Sequence, residues 1–494
     1  MSVLDHAPVL VVVLPLLTAP IIALLRSARV AGVATFVVAA LDAALAFVLF
    51  ARTLDGSVIS YAMGGWAPPI GIEYRIDLLS AVMACLTSFS AALVAWFLPV
   101  SIAPEVTPGD RPRLFAAFLL CLAGLTGMVV TGDLFNVFVF LEISSLATYV
   151  LIAAGAGRDR RALTAAFDYL ILGAVGATFV VIGIAFLYVV TGTLNMADLG
   201  NRLPLAGKRA GVVGASFLFV GLALKTAMMP LHRWLPNAYT FAPAAVTTFL
   251  AMTATKVALY LMIRLAVLVF GTPDEIGRIN FATVLPPIGL VMLIAGSALA
   301  VVSADLKRLL AFSSIANLGL MLVALGLGGA AGIAAALVNL INHAVIKGGM
   351  FATVAGIVHR RGSSRMDSLA GLSREMPFAF VFLMIGGMGL IGVPLTAGFV
   401  SKLLVVKTAF DLGQTMIAAG VLLSSLISVV YVWRIVEACM IAKPAKPGRR
   451  HDVHPIFAAP MALLGVGTLA LGIEGGPLLD VATRIAAALT GGAS

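Results

Sequence analysis

GLALKTAMMPLHRWLPNAYTFAPAAVTTFLAMTATK, residues 221–256, holds one lysine near its start, Lys225, and closes on another, Lys256. The surrounding sequence reads as membrane helix. Pro230, Pro236 and Pro243 stand between the two lysines, with His232, Arg233 and Asn237 interspersed. Proline removes a backbone donor and clashes with the preceding turn, so the helix is predicted to break near Pro230. Broken backbone at membrane depth survives only where protein or a water-filled cavity satisfies the freed groups. A lysine at the bilayer centre costs at least ~2.5–3.5 kcal/mol, so such residues commonly mark an ion or proton path. The competing reading is that both lysines snorkel to an interface. Lys256, about four turns beyond Pro243, the last of these prolines, fits that reading poorly.

Outward from this stretch the chain is a succession of apolar runs. Of its 494 residues, 61% are hydrophobic and 11% charged, against about 25% charged in soluble domains. Mean hydropathy is +1.10. The fold class is therefore an all-α polytopic membrane protein. A span needs about 20 apolar residues. That length gives about fourteen helices, near 7–26, 29–51, 77–100, 113–131, 134–156, 162–191, 210–230, 241–270, 281–302, 305–327, 329–357, 376–409, 413–440 and 456–473. The first run lacks a basic leader and a small-residue cleavage site, and reads as a retained helix.

A second break is predicted in the twelfth span, where GGMGLIGVPLTAGFVSK is rich in glycine, contains Pro394 and ends on Lys402. Interrupted helices at matching places in two halves point to an internally repeated transporter. The breaks fall in spans seven and twelve. Five-helix units repeated in tandem face opposite ways, so spans four to eight and nine to thirteen read as two inverted five-helix repeats. The expected division is 1–112, 113–270, 271–440 and 441–494.

The net charge of +10 would suggest nucleic acid in a soluble protein. Here it matches positive-inside loop bias. Arg26 and Arg29, Arg158, Arg160 and Arg161, Lys307 and Arg308, and Arg360, Arg361, Arg365 and Arg374 all fall on odd-numbered connections. Both termini are thereby expected on the outer side of a bacterial inner membrane. Cys85, Cys121 and Cys439 lie far apart, which argues against iron–sulfur and structural zinc sites. No cofactor is expected on this chain.

The candidate site residues are the charges inside spans. Glu142 sits in FNVFVFLEISSLATY; Lys225 and Lys256 belong to the opening stretch; His343 and Lys347 share one helix face in NLINHAVIKGGMF; Lys402 follows the second break. A carboxylate buried alone takes up a proton, and a nearby ammonium opposes that uptake. Lysine loses its proton more readily when buried. A Glu–Lys pair of changing separation therefore exchanges protons with its surroundings, and Glu142 with Lys225 is the expected pair. Lys256 and His343 would pass protons laterally, and Lys402 would face an aqueous side. His343 also fits a helix–helix hydrogen bonder, Lys347 a packing cation and Glu142 an ion-pair partner. Asp133 reads as an N-cap, and Lys307 with Arg308 as interfacial anchors.

GGWAPPIGIEYRIDLLSA, TGDLFNVFVFLEISSLATYVLI, LKTAMMPLHRWLPNAY, FLAMTATKVALYLMIR, DLKRLLAFSSIANLG, NHAVIKGGMF and GVPLTAGFVSK together resemble the antiporter-like subunits. These belong to respiratory complex I, membrane-bound hydrogenases and Mrp-type cation/proton antiporters. The resemblance covers roughly 60–440 and is nearest to the D-type component of the Mrp antiporters. It implies fourteen helices in inverted repeats around a hydrated polar axis. It maps the family's helix-five glutamate to Glu142, its helix-seven and helix-eight lysines to Lys225 and Lys256, and its helix-eleven region to His343 and Lys347. The helix-twelve position, a glutamate in one complex I component, is Lys402 here, which argues against that component. Relatives often carry a histidine early in helix eight. VTTFLAMTATK has none, so a relay there would need water or Thr247, Thr253 and Thr255. The implied function is proton translocation in a multi-subunit Na⁺/proton antiporter, with other membrane subunits as partners. Two rivals stay open: a redox-driven pump of the complex I or hydrogenase kind, and a non-transporting assembly scaffold.

Overall fold

The helix that carries Lys225 stops at that residue. In the computed structural model, which describes residues 3–205, 208–270, 281–442 and 451–491, helix ends at Lys225 and resumes at Trp234. The expected break is therefore present, and the helix ends five residues before Pro230. Ala227 takes a φ of 54° inside the break, a left-handed conformation uncommon for a residue with a side chain.

The elements, in order, begin with α1 (Ala7–Leu24), α2 (Ala28–Thr53), the antiparallel pair β1 (Ile59–Ala62) and β2 (Glu73–Ile76), and α3 (Leu78–Ser101). Next come α4 (Arg111–Val130), α5 (Leu134–Ala153), α6 (Arg161–Thr191), α7 (Met196–Arg202), α8 (Lys208–Lys225), α9 (Trp234–Phe241), α10 (Ala244–Met252) and α11 (Ala254–Arg264). The remainder comprises α12 (Phe281–Val301), α13 (Leu306–Leu327), α14 (Gly329–Arg361), α15 (Leu372–Glu375), α16 (Pro377–Ile391), α17 (Ala397–Asp411), α18 (Thr415–Val436), α19 (Pro455–Ile473) and α20 (Gly476–Thr490).

Among the described residues, twelve helices are long and apolar enough to cross a membrane, or thirteen if one bent pair counts as a span. Neither α8 nor α17 is among the twelve: α8 carries three charges, Lys208, Arg209 and Lys225, and α17 is 15 residues long, whereas Ala244–Val269 counts as one span across the turn at Thr253. The second interruption runs from Gly392 to Thr396, between α16 and α17, and Leu395 has a φ of 71°. A third was not expected: α10 and α11 are separated at Thr253, with no proline or glycine there to signal it. The terminal helix α20 was not expected either.

The chain divides into two units. One holds Met1–Thr226, Phe241–Pro243 and Thr253–Asn280; the other holds Ala227–Thr240, Ala244–Met252 and Phe281–Ser494. The boundary expected at 271 lies outside the described residues. In the first unit, α1 packs on α4, α2 on α3, α4 on α5 and α6 on α8. Leu163, Phe167, Ile171 and Val175 form an exposed apolar stripe on α6, suited to acyl chains. In the second, α14 is the central element and meets α10, α13, α16, α17, α19 and α20.

One local design occurs in each unit. Gly124 lets α4 approach α5 so closely that a Cβ would lie 2.6 Å from the Ser144 nitrogen; Gly296 does the same for α12 and α13, at 2.8 Å from the Ala316 nitrogen. Asp133 caps α5 through the Asn136 N–H at 2.7 Å, as the sequence predicts, and Asp305 caps α13 through the Lys307 N–H at 2.8 Å. The Asp133 backbone forms an isolated antiparallel β-bridge with Asn195, and that of Asp305 with Arg365. The offset from Gly124 to Gly296 equals that from Asp133 to Asp305.

Candidate functional site

Glu142 lies on α5, with Ser145 and Tyr149 three and seven residues further on, hence on the same helix face. Its Oε1 is buried and accepts no hydrogen bond. Lys225, the last residue of α8, is buried at 8% exposure. The negative end of a helix dipole favours a cation in that place. The Lys225 ammonium donates to Ser145 Oγ at 2.6 Å and lies 5.4 Å from the centre of the Tyr169 ring. Glu142 and Lys225, the expected pair, form no ion pair within 4.0 Å. Ser145 holds the lysine instead.

A cavity of about 30 Å³ adjoins this cluster, lined by Ser144, Ser145, Thr148, Tyr169, Lys225 and apolar neighbours including Ala254 and Ala258. That is room for a water molecule, and the wall offers polar partners for one. Lys256, fully buried, is two residues from both Ala254 and Ala258. At about 100° per residue it therefore projects from the opposite side of α11.

On that other side, Tyr260 and Arg264 follow Lys256 at successive turns. The Tyr260 hydroxyl donates to the Val129 carbonyl at 2.7 Å and accepts from Arg264 Nε at 2.7 Å. Arg264 also pairs with Asp77 at 2.7 Å and donates to Ser80 at 2.6 Å. These bonds fix α11 to the start of α3 and to α4. Tyr260, Arg264 and Asp77 were not among the expected residues, although Arg264 is a charge inside the predicted span 241–270. Of the threonines named for a relay, Thr247 donates to the Tyr239 carbonyl at 2.9 Å, and the buried Thr255 hydroxyl has no hydrogen-bond partner.

In the other unit, His343 and Lys347 are buried on α14. Lys347 Nζ donates to the Leu310 carbonyl at 2.8 Å and to Ser313 Oγ. One residue before His343, Asn342 donates to the Ala397 carbonyl at 2.9 Å and to Ser401 Oγ at 3.0 Å, which ties α14 to α17. Lys402 follows Ser401. Its Nζ donates to the Leu390 and Ile391 carbonyls at 2.9 and 2.8 Å and to Ser425 Oγ at 2.9 Å. Lys402 thus caps the carbonyl end of α16 at the break. Lys307, expected as an interfacial anchor, is instead buried, at 2% exposure. The segment after α14 returns to the start of α13, where the Leu306 N–H donates to the Ser364 carbonyl at 2.8 Å.

The six residues expected from the sequence divide between the two units: Glu142, Lys225 and Lys256 in one; His343, Lys347 and Lys402 in the other. Ser145, Tyr149, Tyr169 and the Thr253 break carry no signal of their own in the sequence.

A family model described as "NADH:quinone oxidoreductase/Mrp antiporter, TM" matches residues 131–428, and the chain belongs to that family of membrane subunits. It is 36% identical to the N subunit of NADH-quinone oxidoreductase from Desulforudis audaxviator, covering 95% of this chain and 96% of the relative. It is 27% identical to the D subunit of the Na(+)/H(+) antiporter from Bacillus subtilis, covering 94% of each. The structure resembles a chain of the Mrp complex from Dietzia sp. DQ12-45-1b, with a TM-score of 0.90, 28% identity and coverage of 99% of this chain and 98% of that one.

Proposed function

We propose that this chain is the proton-translocating subunit of a multi-subunit Na⁺/proton antiporter in a bacterial inner membrane, with both termini outside. Glu142 binds and releases a proton, Lys225 answers by moving toward or away from it, and Lys256, His343, Lys347 and Lys402 continue the relay. The observation that carries this reading is the buried Lys225 ammonium, held by a serine hydroxyl beside a water-sized cavity rather than locked to Glu142. A permanently paired lysine could not exchange its proton, whereas this one has polar partners and space. Likeness to the antiporter D subunit and to an Mrp complex supports the antiporter setting. The equal offsets of the two glycine contacts and the two aspartate caps are what a repeated helical unit would leave behind, and they support the inverted repeats.

The second reading is a redox-driven pump, favoured by likeness to the oxidoreductase N subunit. One experiment separates them. The intact complex is purified with its partners and reconstituted in sealed vesicles carrying a pH-sensitive dye. The antiporter reading expects an imposed Na⁺ gradient to drive proton movement without an electron donor. Proton movement only on addition of NADH and quinone would favour the pump.

A further inference from the structure

Ser145 is fixed by its own helix. Its hydroxyl donates to the Leu141 carbonyl at 2.6 Å, which leaves its lone pairs to accept from Lys225 at 2.6 Å. The Tyr169 ring supplies an aromatic face to the same ammonium, an attraction that strengthens away from water. The Tyr149 ring meets Tyr169 edge-on, with centroids 5.1 Å apart. Gly173 leaves room for both polar tips: a Cβ there would overlap the Tyr149 hydroxyl and lie 3.4 Å from Lys225 Nζ. Glu142, one turn before Ser145, is near enough for its charge to act on Lys225 and Tyr149 but makes no hydrogen bond or ion pair with Lys225, and its Oε1 is unpartnered.

The other titratable groups around the station are Cys121 of α4, which meets Thr148 at 3.4 Å, Tyr149 of α5 and Tyr169 of α6. All three are ordinarily uncharged near neutral pH. Asp168, half-buried beside Tyr169, takes no part in the bonds that hold Lys225. The lysine is therefore the charge that the station controls.

We propose that Ser145 and Tyr169 form a holding station for Lys225 apart from Glu142, and that Ser145 is a positioning residue setting how readily Glu142 takes up a proton. The inference rests on the function proposed above. With the lysine in its station, Glu142 has no counter-charge in contact and accepts a proton more easily. With the lysine at Glu142, the attraction favours the carboxylate. Removing the station moves the balance toward the second arrangement, and more acid is then needed to protonate Glu142.

The test is the pH profile of proton-coupled exchange by the intact complex in vesicles. A hydrogen bond to a charged group has the size of roughly one pH unit or more. Ser145→Ala is expected to shift the midpoint about one unit to the acid side, and Ser145→Thr, which keeps the hydroxyl, to restore it. Tyr169→Leu should shift it the same way, and Tyr169→Phe should not; this pair decides the matter if Ser145→Ala fails to assemble. Unshifted or alkaline-shifted profiles, with Glu142→Gln inactive, would overturn the holding station and leave the relay standing. An active Glu142→Gln would instead remove the relay on which it rests.

Discussion

Glu142→Gln is expected to reduce proton-coupled exchange in vesicles to the level of vesicles lacking the complex, a loss of about 100-fold or more, as befits removal of a proton-transfer group. Glutamine matches glutamate in size and cannot carry the proton. The native Oε1 accepts no hydrogen bond, so the substitution breaks none there. The variant should reach the membrane and assemble in normal amounts, which separates lost chemistry from lost folding. Normal assembly with wild-type exchange would show that Glu142 is not the coupling acid.

Lys402→Ala is expected to have a comparable effect on exchange, with a structural component that Glu142→Gln lacks. Its ammonium satisfies two carbonyls at the end of α16 and one hydroxyl of α18. These contacts are part-buried, so each acceptor left unpaired costs at most about 1–3 kcal/mol. Thermal unfolding in detergent should therefore show a lower midpoint for the alanine variant. Lys402→Arg keeps donors and charge, and should recover much of that stability. Arginine hardly deprotonates, so exchange should remain lost. Stability and exchange recovering together would reduce Lys402 to a cap.

The two breaks, after Lys225 and before Lys402, were legible because proline and glycine announce them in sequence. The break at Thr253 was not, because its causes are distant. Gly348 of α14 brings Met252 so close that a Cβ would lie 2.5 Å from its sulfur, while Tyr260 and Arg264 bind α11 to Val129 and Asp77. Each half-helix is held by its own partners, and no local signal encodes them. Asp42 and Arg264, also buried, were passed over, but the buried lysines Lys225, Lys256 and Lys347 were equally legible, since charged residues are rare in apolar spans. Their partners were not. Ser145 and Lys225 are far apart in the chain, and a serine within an apolar helix usually bonds its own backbone. Ser145 does that too, and only the fold adds the lysine.

Proton translocation, as proposed, turns on Lys225 giving up and regaining a proton. Lys225→Arg, assayed for proton-coupled exchange in sealed vesicles, tests this most directly, because arginine keeps the positive charge and hardly releases its proton. The expected result is an assembled complex without exchange. Full exchange by the arginine variant would contradict it.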